Sequence, residues 1–249
     1  MNILVLMAGD SGRFEEAGYA FPKNLVEIDG LPLAERVLRQ LEPLLPRGRV
    51  IAVVREEEDR RFHTADVVRL ICPSATVVLV PALESGAACT ALLAVEQLVR
   101  DEPLLIFNGD QIISRDLSAI VADFEDRELD GGTIVFNAVH PRWSYVRLGE
   151  DGLVVEAAEK RPISTHATAG AYWYRRAGDF LDAVMDMIRK DARVNDRFYV
   201  CPAFNEMILR QARIGVVEIA RDEYHSFATP QGVREYEELL AGDRRSSGR

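Results

Sequence analysis

Three absences in the sequence limit the classes of protein to which the chain can belong. Only three of the 249 residues are cysteine, Cys72, Cys89 and Cys201. They lie too far apart for a metal-binding spacing, so we expect free thiols in a reducing, cytoplasmic setting. No apolar run reaches the ~18 residues that span a bilayer, and no basic region precedes the first one, so we expect neither membrane insertion nor a signal peptide. The formal net charge of -10 argues against a nucleic-acid polymer as partner.

Lysine is the scarcest charged residue. Of the 30 lysine and arginine residues, three are lysine, namely Lys23, Lys160 and Lys190. Where a chain uses arginine almost everywhere else, we expect a lysine where a compact ammonium is specifically needed. Lys190 instead fits the carboxyl-terminal end of a helix, where any cation is favourable. Compositional drift with chance placement is the alternative explanation for Lys23 and Lys160.

Strand and helix patterns alternate through the first half of the chain, which predicts an α/β fold with a mostly parallel central sheet and helices on both faces. The strand-like runs of this half are residues 2–7, 50–54, 76–80 and 104–107, and the helical segments are 31–45, a charged segment that ends at residue 69, and 85–100. Later strands are predicted at 132–140, 145–148, 154–158, 171–174 and 214–220, with helices at 177–190, 199–211 and from 229 to about 242.

A glycine-containing loop follows the first strand. Residues 8–14 read Ala-Gly-Asp-Ser-Gly-Arg-Phe, and a Pro-Lys step ends at Lys23. Glycines let a backbone approach phosphate oxygens closely, and successive N–H groups form an anion-binding nest. Arg13 can bind two oxygens at once, and Lys23 supplies a point charge, so the segment suits a triphosphate. A plain strand-to-helix turn is the alternative, because neither the dinucleotide-binding pattern nor the P-loop is present.

Asn108, Gly109 and Asp110 end the fourth apolar strand. Ligands of such sheets lie beyond the carboxyl ends of the strands, so we expect Asp110 and the 8–14 loop to share one crevice. A carboxylate there suits Mg²⁺, which prefers oxygen ligands and retains waters and substrate phosphates. Capping of the following turn is the alternative role of Asp110.

Residues 84–88 form a helix start rich in small residues. Backbone groups and Glu84 could contact a base edge, and the small residues leave room for the ring. Taken alone, the segment is better explained by close packing of a helix on the sheet.

A charged cluster ends the strand predicted at 154–158. Glu159 could accept hydrogen bonds from substrate hydroxyls or an amine, and Lys160 could hold a phosphate, although a solvated turn explains both residues equally well. Gly170 would let a ligand approach the backbone, and simple entry into the next strand is its alternative role.

Taken together, these motifs resemble the sugar-phosphate nucleotidyltransferases, also called nucleoside-diphosphate-sugar pyrophosphorylases. The resemblance covers almost the whole chain, in the family's order. Its matching segments are residues 8–13, Pro22-Lys23, Gly86-Ala87-Ala88, Gly109-Asp110, Glu159-Lys160 followed by Arg161-Pro162, Gly170-Ala171-Tyr172 and Ala228-Thr229-Pro230. Residues 86–90, 108–111, 159–164 and 198–205 further resemble a bacterial branch from capsule and surface-polysaccharide gene sets. Some members of that branch are similar to cytidylyltransferases whose phosphorylated acceptors are not sugars.

The resemblance implies a Rossmann-like nucleotidyltransferase fold, which is GT-A-like, in one domain over residues 1–249. A nucleotide-binding half would span 1–130, an acceptor-binding half 131–242 and a flexible tail 243–249. The implied reaction is Mg²⁺-dependent attack by a sugar 1-phosphate, or another small phosphate monoester, on a nucleoside triphosphate, with release of pyrophosphate. Surface-polysaccharide synthesis is the implied context, and a homo-oligomer is compatible with it.

The resemblance also implies roles for individual residues. The implied catalytic residues are Arg13, Lys23 and Asp110, with Asp110 as the metal ligand. The implied nucleotide-binding residues are Met7, Ala8, Gly9, Ser11, Gly12, Arg13, Glu84, Gly86, Ala87, Asn108 and Gly109. The implied acceptor-binding residues are Glu159, Lys160, Gly170, Tyr172, Tyr199 and Asn205.

One departure from the family pattern concerns the metal. Many members place a second metal-binding aspartate three positions before the threonine of Gly-Thr-Pro, where this chain has Ser226, and the glycine is Ala228. Asp222, Glu223 or Glu206 could serve instead, or the metal could rely on Asp110, phosphates and water.

Two rival functions stay open. The serine at position 226 is compatible with a non-catalytic nucleotide-binding module. A nucleotide-sugar-dependent glycosyltransferase would also be α/β with acidic metal ligands, although it usually carries Asp-x-Asp where this chain has Asn-Gly-Asp.

Overall fold

The computed structural model describes residues 1–82 and 85–247, and four parallel strands form the sheet in the first half of the chain. The elements of this half are β1 Asn2–Leu6, α1 Gly12–Glu16, β2 Glu27–Ile28, β3 Leu31–Pro32, α2 Leu33–Arg39, β4 Arg49–Arg55, α3 Glu56–Phe62, α4 Thr64–Ile71, β5 Thr76–Val80, α5 Ala87–Leu92, β6 Leu104–Asn108, β7 Gln111–Ile113 and α6 Leu117–Asp126. Four of these strands lie side by side in the order β6-β1-β4-β5, all parallel.

The second half adds strands to the same sheet beyond β6. Its elements are β8 Gly131–Asn137, β9 Ser144–Leu148, β10 Val154–Glu159, β11 His166–Tyr174, α7 Ala177–Arg189, α8 Ala203–Ile208, β12 Ile214–Glu218, β13 Tyr224–Ser226 and α9 Pro230–Ser247. β11 pairs antiparallel with β6, β8 and β9, and β9 pairs antiparallel with β10. The connections from β8 to β11 are short, so these strands turn back on one another instead of crossing over through a helix.

Two hydrophobic clusters cover the two faces of the sheet. Ile3, Val5 and Phe107 belong to one of them, with residues of α2 and α6, while Leu4 and Ile106 belong to the other, with residues of α5, α7 and α8. Adjacent strand residues are thus buried on opposite faces, which is why β1 and β6 are continuous apolar runs in the sequence. The predicted α/β fold with a mostly parallel central sheet is confirmed.

The chain reverses its direction of winding between β1 and β6. Leu6 pairs with Asn108 at the carboxyl ends of these neighbouring strands, so the loops that follow leave the sheet side by side. The backbone N–H of Gly109 donates to the carbonyl of Leu6 at 2.9 Å, and a Cβ on Gly109 would lie 2.6 Å from Met7 Cγ. Only glycine fits there, and the crevice of the fold opens at this switch point.

Several predicted helices are shorter than their sequence patterns suggested. The charged helix that ends near residue 69 is two helices, because His63 takes a left-handed φ of 56° between α3 and α4. The predicted helices 31–45, 85–100 and 199–211 contract to α2, α5 and α8, and Gly86 with a φ of 97° sets the start of α5. α6 is present without having been predicted, and α9 continues past residue 242 to Ser247. Within the described residues, no helix is both long and apolar enough to cross a bilayer.

Gly170 offers a test of how tightly the second half packs against the first. Its φ is 60°, and an added Cβ would lie 2.4 Å from Asn108 Nδ2 and 2.5 Å from Gln111 Oε1. Gly152 has a φ of 75°, but an added Cβ there would meet no described atom within 4 Å. We expect Gly152→Ala to lower the free energy of unfolding by ~1–2 kcal/mol through backbone strain alone. Gly170→Ala should cost a further ~1–3 kcal/mol because the side-chain amides of Asn108 and Gln111 must move. Urea denaturation of both variants measures the difference, and equal losses would contradict the packing argument.

Candidate active site

Two cavities open at the carboxyl edge of the sheet and meet over Asp110. The first, here the loop cavity, measures about 590 Å³, and the second, the strand cavity, about 270 Å³. The loop cavity is lined by Leu6, Ala8, Gly9, Asp10, Lys23, Arg55, Ala82, Gly86, Ala87, Thr90, Asn108, Asp110, Arg197 and Tyr199. The strand cavity is lined by Ala87, Asn108, Asp110, Arg142, Trp143, Ser144, Glu159, Thr168, Gly170, Tyr172, Tyr199, Val200, Cys201, Tyr224, Ser226 and Ala228. Four residues line both cavities: Ala87, Asn108, Asp110 and Tyr199.

An ion pair lies where the cavities meet. Lys23 Nζ is 2.6 Å from Asp110 Oδ2, and the two side chains are 8% and 23% exposed. A Cβ on Gly9 would lie 2.8 Å from the ammonium, so the glycine makes room for it. The backbone N–H of Lys23 donates to Ser11 Oγ at 3.1 Å, which ties the Pro-Lys step to the loop. The structure thus brings together two charged residues that the sequence placed in separate motifs.

Asp110 keeps one carboxylate oxygen available. Its Oδ2 binds Lys23, whereas Oδ1 has no partner among the described residues and the side chain lines both cavities. The alternative capping role has no counterpart in these contacts. An oxygen donor at the meeting point of two cavities is the kind of ligand that Mg²⁺ takes together with substrate phosphates and water.

Arg13 and Arg55 occupy different positions relative to the loop. Arg13 is exposed on α1 and lines neither cavity. Arg55, which the sequence analysis missed, lines the loop cavity, and its Nε donates to the carbonyl of Ala8 at 3.1 Å. Its Nη1 also lies 3.5 Å from Asp10 Oδ1. The signal that could have identified Arg55 is its position at the end of β4, the parallel neighbour of β1.

Gly86 packs closely against Phe198, and Ala87 lines both cavities. A Cβ on Gly86 would lie 2.3 Å from the carbonyl oxygen of Phe198. The N–H of Ala88 donates to that oxygen at 3.0 Å, and the N–H of Phe198 donates to Ser85 O at 2.8 Å. Close packing therefore requires the glycine whether or not a base binds beside it. Glu84 lies outside the described residues.

Polar side chains line the deep part of the strand cavity. Glu159 is 8% exposed and accepts a hydrogen bond from Ser144 Oγ. Burial raises the pKa of Glu159, although this hydrogen bond and the Lys160 charge act in the opposite direction. The hydroxyl groups of Tyr172 and Thr168 are 2.8 Å apart, and burial also raises the pKa of Tyr172 well above its usual range. The cavity therefore presents hydroxyl groups and one desolvated carboxyl group.

Lys160 and Arg142, two cations of the second half, lie on different surfaces. Lys160 Nζ donates to Tyr199 OH at 2.9 Å and lies 4.9 Å above that ring, while its side chain lines a separate cavity of about 710 Å³. Arg142, which the sequence analysis missed, lines the strand cavity with its guanidinium 4.4 Å above the Trp143 ring. Within the described chain, Arg142 has no carboxylate partner.

Asn205 contacts the backbone of its own fold. Its side-chain amide donates to Ala157 O and accepts from Ala157 N, both at 2.8 Å. Ala157 belongs to β10, which pairs with β9 alone among the described strands. The amide thus closes an open sheet edge, and an acceptor-binding role for Asn205 stays a prediction.

The position of the missing second aspartate is close to Asp110. Ser226 pairs with Gln111 across β13 and β7, and the N–H of Phe227 donates to the carbonyl of Asp110 at 2.8 Å. The alternative carboxylates lie elsewhere: Glu223 binds Arg115 through two hydrogen bonds of 2.8 and 2.7 Å, and Glu206 binds Lys190 at 2.5 Å. Asp222 lines neither cavity. Among the described residues, no group of three acidic, histidine or cysteine side chains could hold a metal.

Comparison with known protein families shows the family of the chain. Residues 3–159, which include β1, the loop, Lys23 and Asp110, match the model of the MobA-like NTP transferase domain. The chain belongs to this family. The predicted nucleotidyltransferase activity is thereby confirmed at the level of the reaction class.

Several known proteins are similar to this NTP transferase in sequence or in structure. A UTP–glucose-1-phosphate uridylyltransferase of Haloferax volcanii is 26% identical over 182 residues, covering 71% of this chain and 73% of that protein. A nucleoside-diphosphate-sugar pyrophosphorylase structure from Vibrio cholerae RC9 has a TM-score of 0.82 at 24% identity, covering 95% of this chain and 99% of its own. An inositol-1-phosphate CTP transferase of T. maritima has a TM-score of 0.73 at 18% identity, over 96% and 94% of the two chains. The structural likenesses establish the shared fold.

The Lys23–Asp110 pair predicts a measurable coupling within the NTP transferase. Removing either partner leaves the other charge without compensation in a mostly buried place, so we expect Lys23→Met and Asp110→Asn each to cost ~1–3 kcal/mol of unfolding free energy. The double variant should cost less than the sum by at least ~1 kcal/mol. Urea denaturation of the four proteins gives this coupling energy.

The exposed pair Arg47–Glu125, with side chains 65% and 28% exposed, is the matched control, with a coupling below ~0.5 kcal/mol. Equal couplings for both pairs would contradict the prediction.

Proposed function

We propose that the protein transfers a nucleoside monophosphate from a nucleoside triphosphate to a small phosphorylated acceptor and releases pyrophosphate. The observation that carries the proposal is the Lys23–Asp110 pair at the junction of two cavities. Two reactants can then approach the pair from opposite sides. The named relatives support an acceptor of the sugar 1-phosphate or phosphorylated polyol type, since they include a glucose-1-phosphate uridylyltransferase and an inositol-1-phosphate CTP transferase.

We place the triphosphate in the loop cavity. Its size suits a nucleotide, and three cations line it, Lys23, Arg55 and Arg197. The glycines at 9 and 12 let backbone N–H groups of the loop approach phosphate oxygens. Arg13 would reach the β- and γ-phosphates from the exposed side of α1. Gly86 and Ala87 border the same cavity and leave space for the base.

The acceptor is assigned to the strand cavity. Arg142 is its one lining cation within the described chain, and it supplies planar donors for a phosphate. Glu159, Tyr172 and Gly170 line the same cavity and would contact hydroxyl groups of the acceptor. The ammonium of Lys160 is bound to Tyr199, which borders both cavities. Lys160 would add a second cation once it exchanges this hydrogen bond for one to the acceptor phosphate.

The reaction needs positioning more than a base. A phosphate oxygen of the acceptor attacks the α-phosphorus, a new P–O bond forms, and the bond to the bridging oxygen of the β-phosphate breaks. Pyrophosphate leaves with that electron pair, and no proton has to be removed from the nucleophile. Lys23 neutralises charge that develops at the reacting phosphates, while loop N–H groups and Arg55 stabilise the leaving group.

A divalent cation fits the donor set, and Asp110 Oδ1 is the group that would hold it. Bound Mg²⁺ supplies charge neutralisation and orientation of the phosphate oxygens. Ser226 offers a hydroxyl in place of a second carboxylate, so the remaining ligands would be phosphates and water.

The proposed setting is the cytoplasm, where nucleoside triphosphates are available, and surface-polysaccharide synthesis is the proposed use of the product. All three cysteines are free thiols, which agrees with a reducing compartment.

Pyrophosphate release tests the function directly. CTP, UTP, GTP, ATP and dTTP are each combined with Mg²⁺ and with sugar 1-phosphates, phosphorylated polyols and phosphorylated amino alcohols. We expect release with one nucleotide and one acceptor class, and loss of that release when EDTA removes the metal. Tight triphosphate binding without release from any acceptor would favour a non-catalytic module, and transfer from a nucleotide sugar would favour a glycosyltransferase.

Lys23 should carry a large share of the rate. Lys23→Met removes the ammonium and keeps the length of the side chain, so turnover should fall by roughly two to three decades, the scale for losing one electrostatic partner of the transition state. Lys190→Met is the matched control, because Lys190 also binds a buried carboxylate, Glu206, and lines neither cavity. Steady-state turnover of both variants makes the comparison. Near-normal turnover of Lys23→Met, or an equal loss in Lys190→Met, would contradict the assigned role.

A further inference from the structure

A buried carboxylate lies beneath the Lys23 segment and takes no part in the chemistry above. Glu58, on α3, is 7% exposed. Its Oε1 accepts hydrogen bonds from Asn24 Nδ2 at 2.7 Å and from Thr64 Oγ1 at 3.0 Å. Burial raises the pKa of Glu58, against the effect of these hydrogen bonds and of the Lys23 and Arg55 charges. A buried carboxyl group costs free energy unless it is well bonded, so a purely structural position would more simply hold an apolar residue.

Asn24 connects this carboxylate to the loop. One hydrogen of its Nδ2 is donated to Glu58, and the other to the carbonyl oxygen of Met7 at 2.8 Å. Its Oδ1 is buried and has no partner in the described part of the chain. Two acceptors therefore decide the orientation of the amide, since a flipped amide would place Oδ1 against the carbonyl and the carboxylate. Asn24 is 0% exposed and follows Lys23 directly in the chain.

The hydrogen bonds of Asn24 hold the backbone next to Lys23 close to the start of the 8–14 loop. Met7 directly precedes the loop, and a Cβ on Gly109, the residue before Asp110, would lie 2.6 Å from Met7 Cγ. The next carbonyl, that of Ala8, is held by Arg55 Nε at 3.1 Å. The successive carbonyls of Met7 and Ala8 are thus held by two side chains. Arg55 ends β4, and Asn24 is itself bound to Glu58 on α3. Lys23 can point its ammonium at Asp110 only if the backbone at 23–24 keeps this position.

We propose that Glu58 is a positioning residue for the Lys23–Asp110 centre and acts through the amide of Asn24. The inference rests on the proposed function, because Lys23 is the group that it positions for the transfer. Glu58 itself touches neither cavity that receives a reactant. Its effect on rate comes from geometry, and misplacement of a reacting group by about 1 Å can cost on the order of 100-fold in rate.

Three substitutions separate positioning from packing. Glu58→Gln keeps an oxygen that accepts from Asn24, so turnover should stay within ~3-fold of the unmodified protein, as expected when the hydrogen bond is retained. Glu58→Ala and Asn24→Ala should each lower turnover by roughly 10- to 100-fold with the KM for the acceptor little changed. The double variant should be no slower than the slower single variant, because both act on one path.

Thr64→Val is the matched control. It removes the other donor to Glu58 from a residue that is 0% exposed, on α4 and away from the loop. We expect a lower unfolding temperature and unchanged turnover. A loss of turnover in Thr64→Val equal to that in Glu58→Ala would overturn the proposal, as would unchanged turnover in Glu58→Ala or additive losses in the double variant.

A second readout is independent of turnover. The chain has three lysines, so site-resolved acetylation by acetic anhydride can compare Lys23 with Lys160 and Lys190 in the same sample. Lys23 should react slowest in the unmodified protein, because its side chain is 8% exposed and paired with Asp110. Its rate relative to the other two should rise several-fold in Glu58→Ala and Asn24→Ala, and stay unchanged in Glu58→Gln and Thr64→Val. A constant ratio in all variants would overturn the positioning role. Failure of the unmodified protein to release pyrophosphate would instead contradict the proposed function.

Discussion

The attraction between Lys23 and Asp110 is the interaction on which the rest of the crevice depends. A mostly buried ammonium is stable only beside a counter-charge, and the fold supplies one by placing β1 and β6 side by side. Gly9 and Gly109 lack side chains where the ammonium and the neighbouring loop must pass. Before two anionic reactants bind, each member of the pair neutralises the charge of the other. The empty crevice therefore has no large uncompensated charge at this position.

The first half could be predicted from the sequence because its determinants are local. Strands buried on both faces are continuous apolar runs, and the loops at their carboxyl ends must share one edge of the sheet. Arg55 follows the strand predicted at 50–54 and could have been identified from that position, whereas Arg142 could not be predicted in this way. Most of the 30 basic residues are arginine, so the type of residue gives no contrast. The guanidinium of Arg142 lies above the Trp143 ring and lines the strand cavity, a position that depends on packing.

Contacts between distant segments decide features that local sequence patterns do not show. The pattern at 199–211 is helical, but the backbone of Phe198 is bound to Ser85 and Ala88, and the helix begins at Ala203, after Pro202. Gly86 is a candidate for base contact, and the backbone pairing of Phe198 with Ser85 and Ala88 also requires a glycine at this position. The acceptor-binding role of Asn205 in the family motif stays a prediction. Its hydrogen bonds to Ala157, a residue 48 positions earlier in the chain, could not be seen in any local pattern.

The amide of Asn205 has a further consequence for the isolated molecule. A carboxamide carries the same donor and acceptor as a peptide group, so at Ala157 it imitates the backbone of a neighbouring strand. Exposed strand edges invite other chains to extend the sheet, and such growth leads to aggregates. β10 lies at the margin of a wide sheet and ends at Glu159, in the wall of the strand cavity. One side chain therefore occupies the edge of β10 at Ala157, where the strand of another chain would otherwise add.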